Sequence, residues 1–118
     1  SLFVYYKNLN ERLKGEEGCD RGALARSWLE VGKLIHETGP KDDAWEAYHQ
    51  ANELYRAEAA DTPESRLNRA EAEGKCGRLS FELNRITDAK ASCAEVARLL
   101  EGLPATSRKA AGELAEMW

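Results

Sequence analysis

Cys19, Cys76 and Cys93, with His36 and His49, are the side chains best suited to nucleophilic or metal chemistry. A structural zinc site needs four Cys or His ligands in closely spaced pairs, and no pair here has that spacing. His36 and His49 stand thirteen residues apart on different expected helices. No glycine-rich phosphate loop, nucleophile elbow or triad order is present. The carboxylate pairs Asp42/Asp43 and Glu16/Glu17 sit at a helix start and in a loop, where capping and solvation account for them. The expectation is a chain without catalysis, bound metal or cofactor. Three cysteines are an odd number and too few for a disulfide scaffold. They point to a reducing compartment, the cytoplasm. Cys76 and Cys93 fall on apolar stripes and are expected to be protected, Cys19 to be exposed. A bridge between Cys76 and Cys93 is open to them if their helices face each other, but the compartment argues against it.

These residues must be carried by one ordinary soluble domain spanning 1–118. The chain of 118 residues is 42% hydrophobic and 32% charged, with a mean hydropathy of -0.63. That balance suits a folded domain rather than a disordered tail. No apolar run approaches the roughly 18 residues of a membrane helix, so no membrane contact is expected. The formal net charge of -4 argues against nucleic acid as a partner. Only three prolines stand among many Ala, Leu, Glu and Arg residues, and the fold class is all-α.

Periodicity places the helices. Leu24, Trp28, Val31 and Ile35 share one face of a helix over 20–38, with Asp20 as N-cap and Gly39-Pro40 as stop. Ala44, Tyr48, Ala51 and Tyr55 mark a second helix over 42–60. Thr62-Pro63 is an N-cap and first-turn pair for a third, over 63–83, with Leu67, Ala70, Gly74, Gly77 and Phe81 on one stripe. Its glycines predict either close helix approach or a kink. Thr87 opens a fourth helix with Ala89, Cys93, Val96 and Leu100 inside, and Pro104 opens a last one ending at Trp118.

The chain also repeats itself at an offset of 45 residues. Gly32/Gly77, Lys33/Arg78, Leu34/Leu79, Glu37/Glu82, Asp43/Asp88, Ala44/Ala89 and Leu54/Leu99 pair without a gap. Two steps carry Leu24-Ala25 and Trp28 onto Leu114-Ala115 and Trp118. One step back brings Tyr48 onto Phe3 and Leu54 onto Leu9. Each unit is a helix, a tight turn and a second helix.

On Trp28, Val31-Gly32, Ile35, Ala44, Tyr48 and Ala51, the first unit resembles a tetratricopeptide repeat, whose signature runs Trp, Leu-Gly and Tyr, then Ala, Phe and Ala. The second is more degenerate, with Glu73, Cys76-Gly77, Ser80, Ala89, Cys93 and Val96: the small residues stay and the aromatics go. The resemblance covers about residues 20–101. It implies antiparallel helix-turn-helix repeats stacked as a short superhelical array: repeat one at 20–60, repeat two at 63–101, a partial preceding helix at 1–15, and at 104–118 the start of a third repeat or a cap. The period of 45 exceeds the family's roughly 34 residues, which fits a long-repeat variant. A generic bundle of helix-turn-helix pairs is the alternative. Residues 1–14 align with a second helix lacking its first, which reads either as a segment cut from a longer chain or as an atypical cap.

Residues 41–64 hold two basic and seven acidic side chains, and residues 65–90 six basic and four acidic. In the family, first helices line the concave face. The resemblance then places Arg26, Leu29, Lys33, His36, Lys75, Arg78 and Phe81 in a peptide-binding groove. Lys33 and Arg78, at equivalent repeat positions, would share one trough. The Lys/Asn set that clamps acidic chaperone tails is not kept, since Leu29, Lys33 and Lys75 stand at its positions. The expected function is a non-catalytic protein-interaction module in a longer protein, binding a peptide or partner helix, an acidic one for a basic groove. The alternative is a self-assembling segment stacking through its open helical ends.

Overall fold

A computed structural model describes residues 2–14, 20–58, 61–101 and 103. All regular structure among them is helical: α1 (Leu2–Lys14), α2 (Arg21–Thr38), α3 (Lys41–Ala57), α4 (Pro63–Glu82) and α5 (Ile86–Leu100). No helix among the described residues is long and apolar enough to cross a membrane. The chain divides into two compact units, Ser1–Glu58 and Ala59–Trp118. The division falls where the two sequence repeats meet. Cys19, the Glu16/Glu17 pair and the expected helix over 104–118 lie outside the described residues.

In the first unit, α2 starts where Asp20 accepts a hydrogen bond from the Ala23 N–H at 3.1 Å. It stops at Gly39, which is extended rather than left-handed and whose N–H donates to the Ile35 carbonyl at 2.6 Å. Pro40 then caps α3, and the two helices fold back on each other across this two-residue turn. Ala25, Trp28, Leu29, Val31 and Ile35 from α2 pack the core with Ala44, Ala47, Tyr48, Ala51 and Tyr55 from α3. Trp28 is 2% and Tyr48 1% exposed. Gly32 sets the close approach, because a Cβ there would lie 2.5 Å from the Tyr48 ring. On its other side Trp28 meets Phe3 of α1, ring centroids 6.0 Å apart.

In the second unit, Thr62 caps α4 by accepting from the Ser65 N–H at 3.1 Å, with Pro63 in the first turn. The pre-proline position is held extended, and the preceding helix ends at Ala57, short of the expected 60. Asn84 closes α4 in the left-handed region, φ 63. Around it the Arg85 N–H donates to Ser80 and the Asn84 N–H to Phe81, the two bonds of a Schellman cap. The α4–α5 seam is made of small residues: a Cβ on Gly77 would lie 2.8 Å from Ser92 Cβ. Gly77 thus marks close approach, not a kink.

The buried faces are rotated from the sequence reading. Leu79, not Phe81, is the large buried residue near the end of α4, and α5 buries Ala89, Ser92 and Leu99 rather than Cys93 and Leu100. The cause is polar. Ser92 Oγ donates to the buried Glu73 carboxylate at 2.9 Å across the seam, which turns Ser92 inward and Cys93 outward.

The repeat also shows in a contact that hydrophobic patterning does not register. Arg21, in the first turn of α2, reaches the Ala57 carbonyl at the end of α3 at 3.4 Å. Arg66, at the equivalent repeat position, reaches the Leu99 and Glu101 carbonyls at the end of α5 at 3.4 and 3.2 Å. In each unit one arginine fastens the end of the second helix, where unpaired carbonyls carry partial negative charge.

Asp61 holds Arg66 in place through two hydrogen bonds, at 2.8 and 3.3 Å. The Arg66 guanidinium in turn draws the Asp61 carboxyl below its usual value. Because the folded-state value is the lower one, the pair's contribution is complete above the ordinary carboxylate value of about 3.9. It is lost as pH falls through the depressed folded-state value. We expect the Asp61 carboxyl, followed by NMR, to titrate below the usual range and to return to it in Arg66→Ala. An unchanged titration in that variant contradicts the pairing.

Candidate functional site

The groove residues inferred from the sequence divide between the units. On α2, Arg26, Lys33 and His36 are half-buried. Lys33 Nζ bonds the Glu30 carboxylate at 3.3 Å, and the His36 ring stands edge-on to Tyr48, centroids 6.3 Å apart. Leu29 is fully buried at 0% exposure. It is a packing residue and offers no surface to a ligand, contrary to its expected place in the groove. The reason is its neighbourhood on the helix: it lies one turn from Ala25 and from Gly32, both buried.

On α4 the outcome is different. Arg78 and Phe81 come together at the mouth of an apolar cleft of about 420 Å³ between α4 and α5. Gly74 and Gly77 line its α4 side and Ala89, Ser92, Cys93 and Val96 its α5 side. Phe81 is 69% exposed, and Arg78 is exposed and makes no ion pair among the described residues. Lys75 is half-buried on α4 and does not line the cleft.

The sequence explains why a cleft opens here. Gly32 and Gly77 occupy the same repeat position, but different residues pack on them: the Tyr48 ring on Gly32 and Ser92 on Gly77. In the first unit the ring closes the seam at that point. The residue equivalent to Tyr48 is Cys93, and with Ser92 turned inward its small side chain stands on the wall of the cleft. The second unit keeps the glycine and lacks the ring.

Cys93 is therefore exposed, while Cys76 is buried, and both thiols are free. The expectation that both are protected fails for Cys93. Native alkylation should modify Cys93 rapidly and Cys76 only on unfolding. Peptide mapping after a short pulse of iodoacetamide measures this, and equal labelling of the two contradicts the geometry.

A second, smaller cavity of about 80 Å³ lies in the first unit between α1 and α2. Asn10 and Trp28 line it, and neither Asn10 Oδ1 nor Trp28 Nε1 has a hydrogen-bond partner among the described residues. On α3, Trp45 stacks on His49 with centroids 4.9 Å apart and planes 9° from parallel. Their spacing of four residues on a helix is the signal for this pair, which a search for reactive groups passes over. Among the described residues no group of three His, Cys, Asp or Glu side chains could hold a metal ion.

Comparisons with protein-family models, with curated proteins and with solved structures found no match for the chain.

Proposed function

We propose that the chain is a non-catalytic protein-interaction module built from two tetratricopeptide-like repeats of the long-period form, working in the cytoplasm. The observation that carries this reading is the cleft between α4 and α5, with Phe81 largely exposed and Arg78 at its mouth, exposed and without an ion pair among the described residues. An aromatic beside an exposed guanidinium at an apolar opening is the composition of an interface centre, where aromatic and Arg residues are enriched. Both free thiols fit a reducing compartment. Two hairpins that share a glycine seam and an arginine fastening fit a repeat origin for the fold.

The partner is a peptide or helix presented by another protein. Lys33 and Arg78 give each first helix a cation at the same repeat position, which favours acidic ligands. Selection of a random peptide library on the immobilised chain tests the reading. Enriched peptides should be acidic, and Arg78→Glu should weaken them by roughly tenfold while helicity is retained. The pair Glu46→Lys and Glu53→Lys on α3 should leave them bound. Peptides that ignore Arg78 and depend on Glu46 or Glu53 contradict this reading.

A second reading, self-assembly through the α1 end, is favoured by Val4 and Tyr5, which are 51% and 64% exposed on α1. Sedimentation of the chain over a range of concentrations separates it from the first.

A further inference from the structure

A ring present in the first unit is missing from the second. Tyr48 packs on Gly32 in the first unit, whereas Ser92 packs on Gly77 in the second, and Cys93, at the position matching Tyr48, lines an open cleft. We infer that this cleft receives an aromatic side chain, tyrosine or phenylalanine, from an acidic segment of a partner protein. This rests on the interaction-module reading and adds to it the identity of the anchoring residue.

Three observations favour that occupant. The first is shape. The cleft is walled by Gly74, Gly77, Ala89, Ser92, Cys93 and Val96, whose short side chains leave room for a planar ring. At about 420 Å³ the opening is in the range of ligand pockets, roughly 300–1,000 Å³. The second is the rim. Phe81, at 69% exposure, offers an edge or face to an incoming ring, and aromatic pairs gain from offset or edge-on contact beyond the area they bury. The third is charge. Arg78 stands exposed on the rim with no ion pair among the described residues. Carboxylates flanking the aromatic would meet that guanidinium. A basic segment would be repelled by it.

The chain's own second copy is the competing occupant, and it fits less well. The exposed aromatic on α1, Tyr5, is followed by Tyr6 and Lys7 and flanked by no carboxylate within five residues. It would bring a cation, not an anion, toward Arg78.

The test uses the full chain and two capped pentapeptides, Asp-Glu-Tyr-Glu-Asp and Asp-Glu-Ala-Glu-Asp, titrated by fluorescence polarisation. The tyrosine peptide should bind more tightly than the alanine peptide by tenfold or more, the loss expected when an aromatic anchor is truncated. Cys93→Tyr supplies the missing ring from within and should abolish binding. Phe81→Ala, at an exposed position where folding is not at risk, should weaken the tyrosine peptide and leave the alanine peptide unaffected. Circular dichroism of each variant verifies the fold.

Equal binding of the two peptides, no binding of either, or full binding by a folded Cys93→Tyr overturns the inference. So does a chain dimer that Cys93→Tyr dissolves, since the cleft would then be filled by its own copy. If library peptides depend on Arg78 yet carry no aromatic, the interaction-module reading stands and this inference alone falls.

Discussion

Trp28→Ala should lower the stability of the first unit by roughly 3–5 kcal/mol. Trp28 is 2% exposed and sits between two packing partners, the core formed with α3 and the Phe3 ring of α1 at 6.0 Å. Truncation removes the burial of a large aromatic and leaves a cavity next to an existing one of about 80 Å³. The loss is a large part of the roughly 5–15 kcal/mol that holds a typical domain together. Trp28→Phe should be far milder, because Trp28 Nε1 makes no hydrogen bond among the described residues that the change would break. Urea unfolding followed by circular dichroism measures both. A loss below about 1 kcal/mol for Trp28→Ala contradicts the packing described.

The second large effect is at the glycine seam. Gly32→Ala puts a Cβ 2.5 Å from the Tyr48 ring, which is 1% exposed and has nowhere to move. Overpacking of a tight core typically costs about 1–3 kcal/mol. The gain in helix propensity, roughly 1 kcal/mol for replacing Gly in a helix interior, offsets only part of that. The double change sharpens the prediction. In a Tyr48→Cys background, which copies the residue of the second unit, Gly32→Ala should become neutral or stabilising. A double-mutant cycle measures the coupling, and additive effects would show that ring and glycine do not meet.

The two hairpins were legible in the sequence because their signals are local. Asp20 and Thr62 are N-caps of the kind that open helices, Gly39-Pro40 stops one, and the apolar residues of α2 and α3 keep a helical period. The buried face of the second unit was harder to read because its seam is polar and small. A reading built on apolar stripes assigns Cys93 and Leu100 to the core, whereas the buried Ser92–Glu73 hydrogen bond rotates α5 by one position. Leu29 was misplaced for a different reason. Its groove position rests on a family resemblance, while its burial follows from sharing a helix face with Ala25 and Gly32. Arg78 and Phe81 came from the same resemblance and do share one opening. What the resemblance did not contain was the cleft itself. It follows from Ser92 turning onto Gly77 and leaving Cys93, where the first unit has a ring, on an open wall, and that comparison needs each unit in three dimensions.

The most direct measurement of the central claim is a map of amide chemical-shift changes in the isotope-labelled chain as the tyrosine-containing acidic peptide is added. The changes should centre on Arg78, Phe81, Ala89, Cys93 and Val96, around the cleft between α4 and α5. They should shrink as salt is raised, because the charge at Arg78 is exposed and screened. Changes centred on the acidic α3, around Glu46 and Glu53, or no changes at peptide concentrations up to the millimolar range, would contradict the assignment of this cleft as the binding surface.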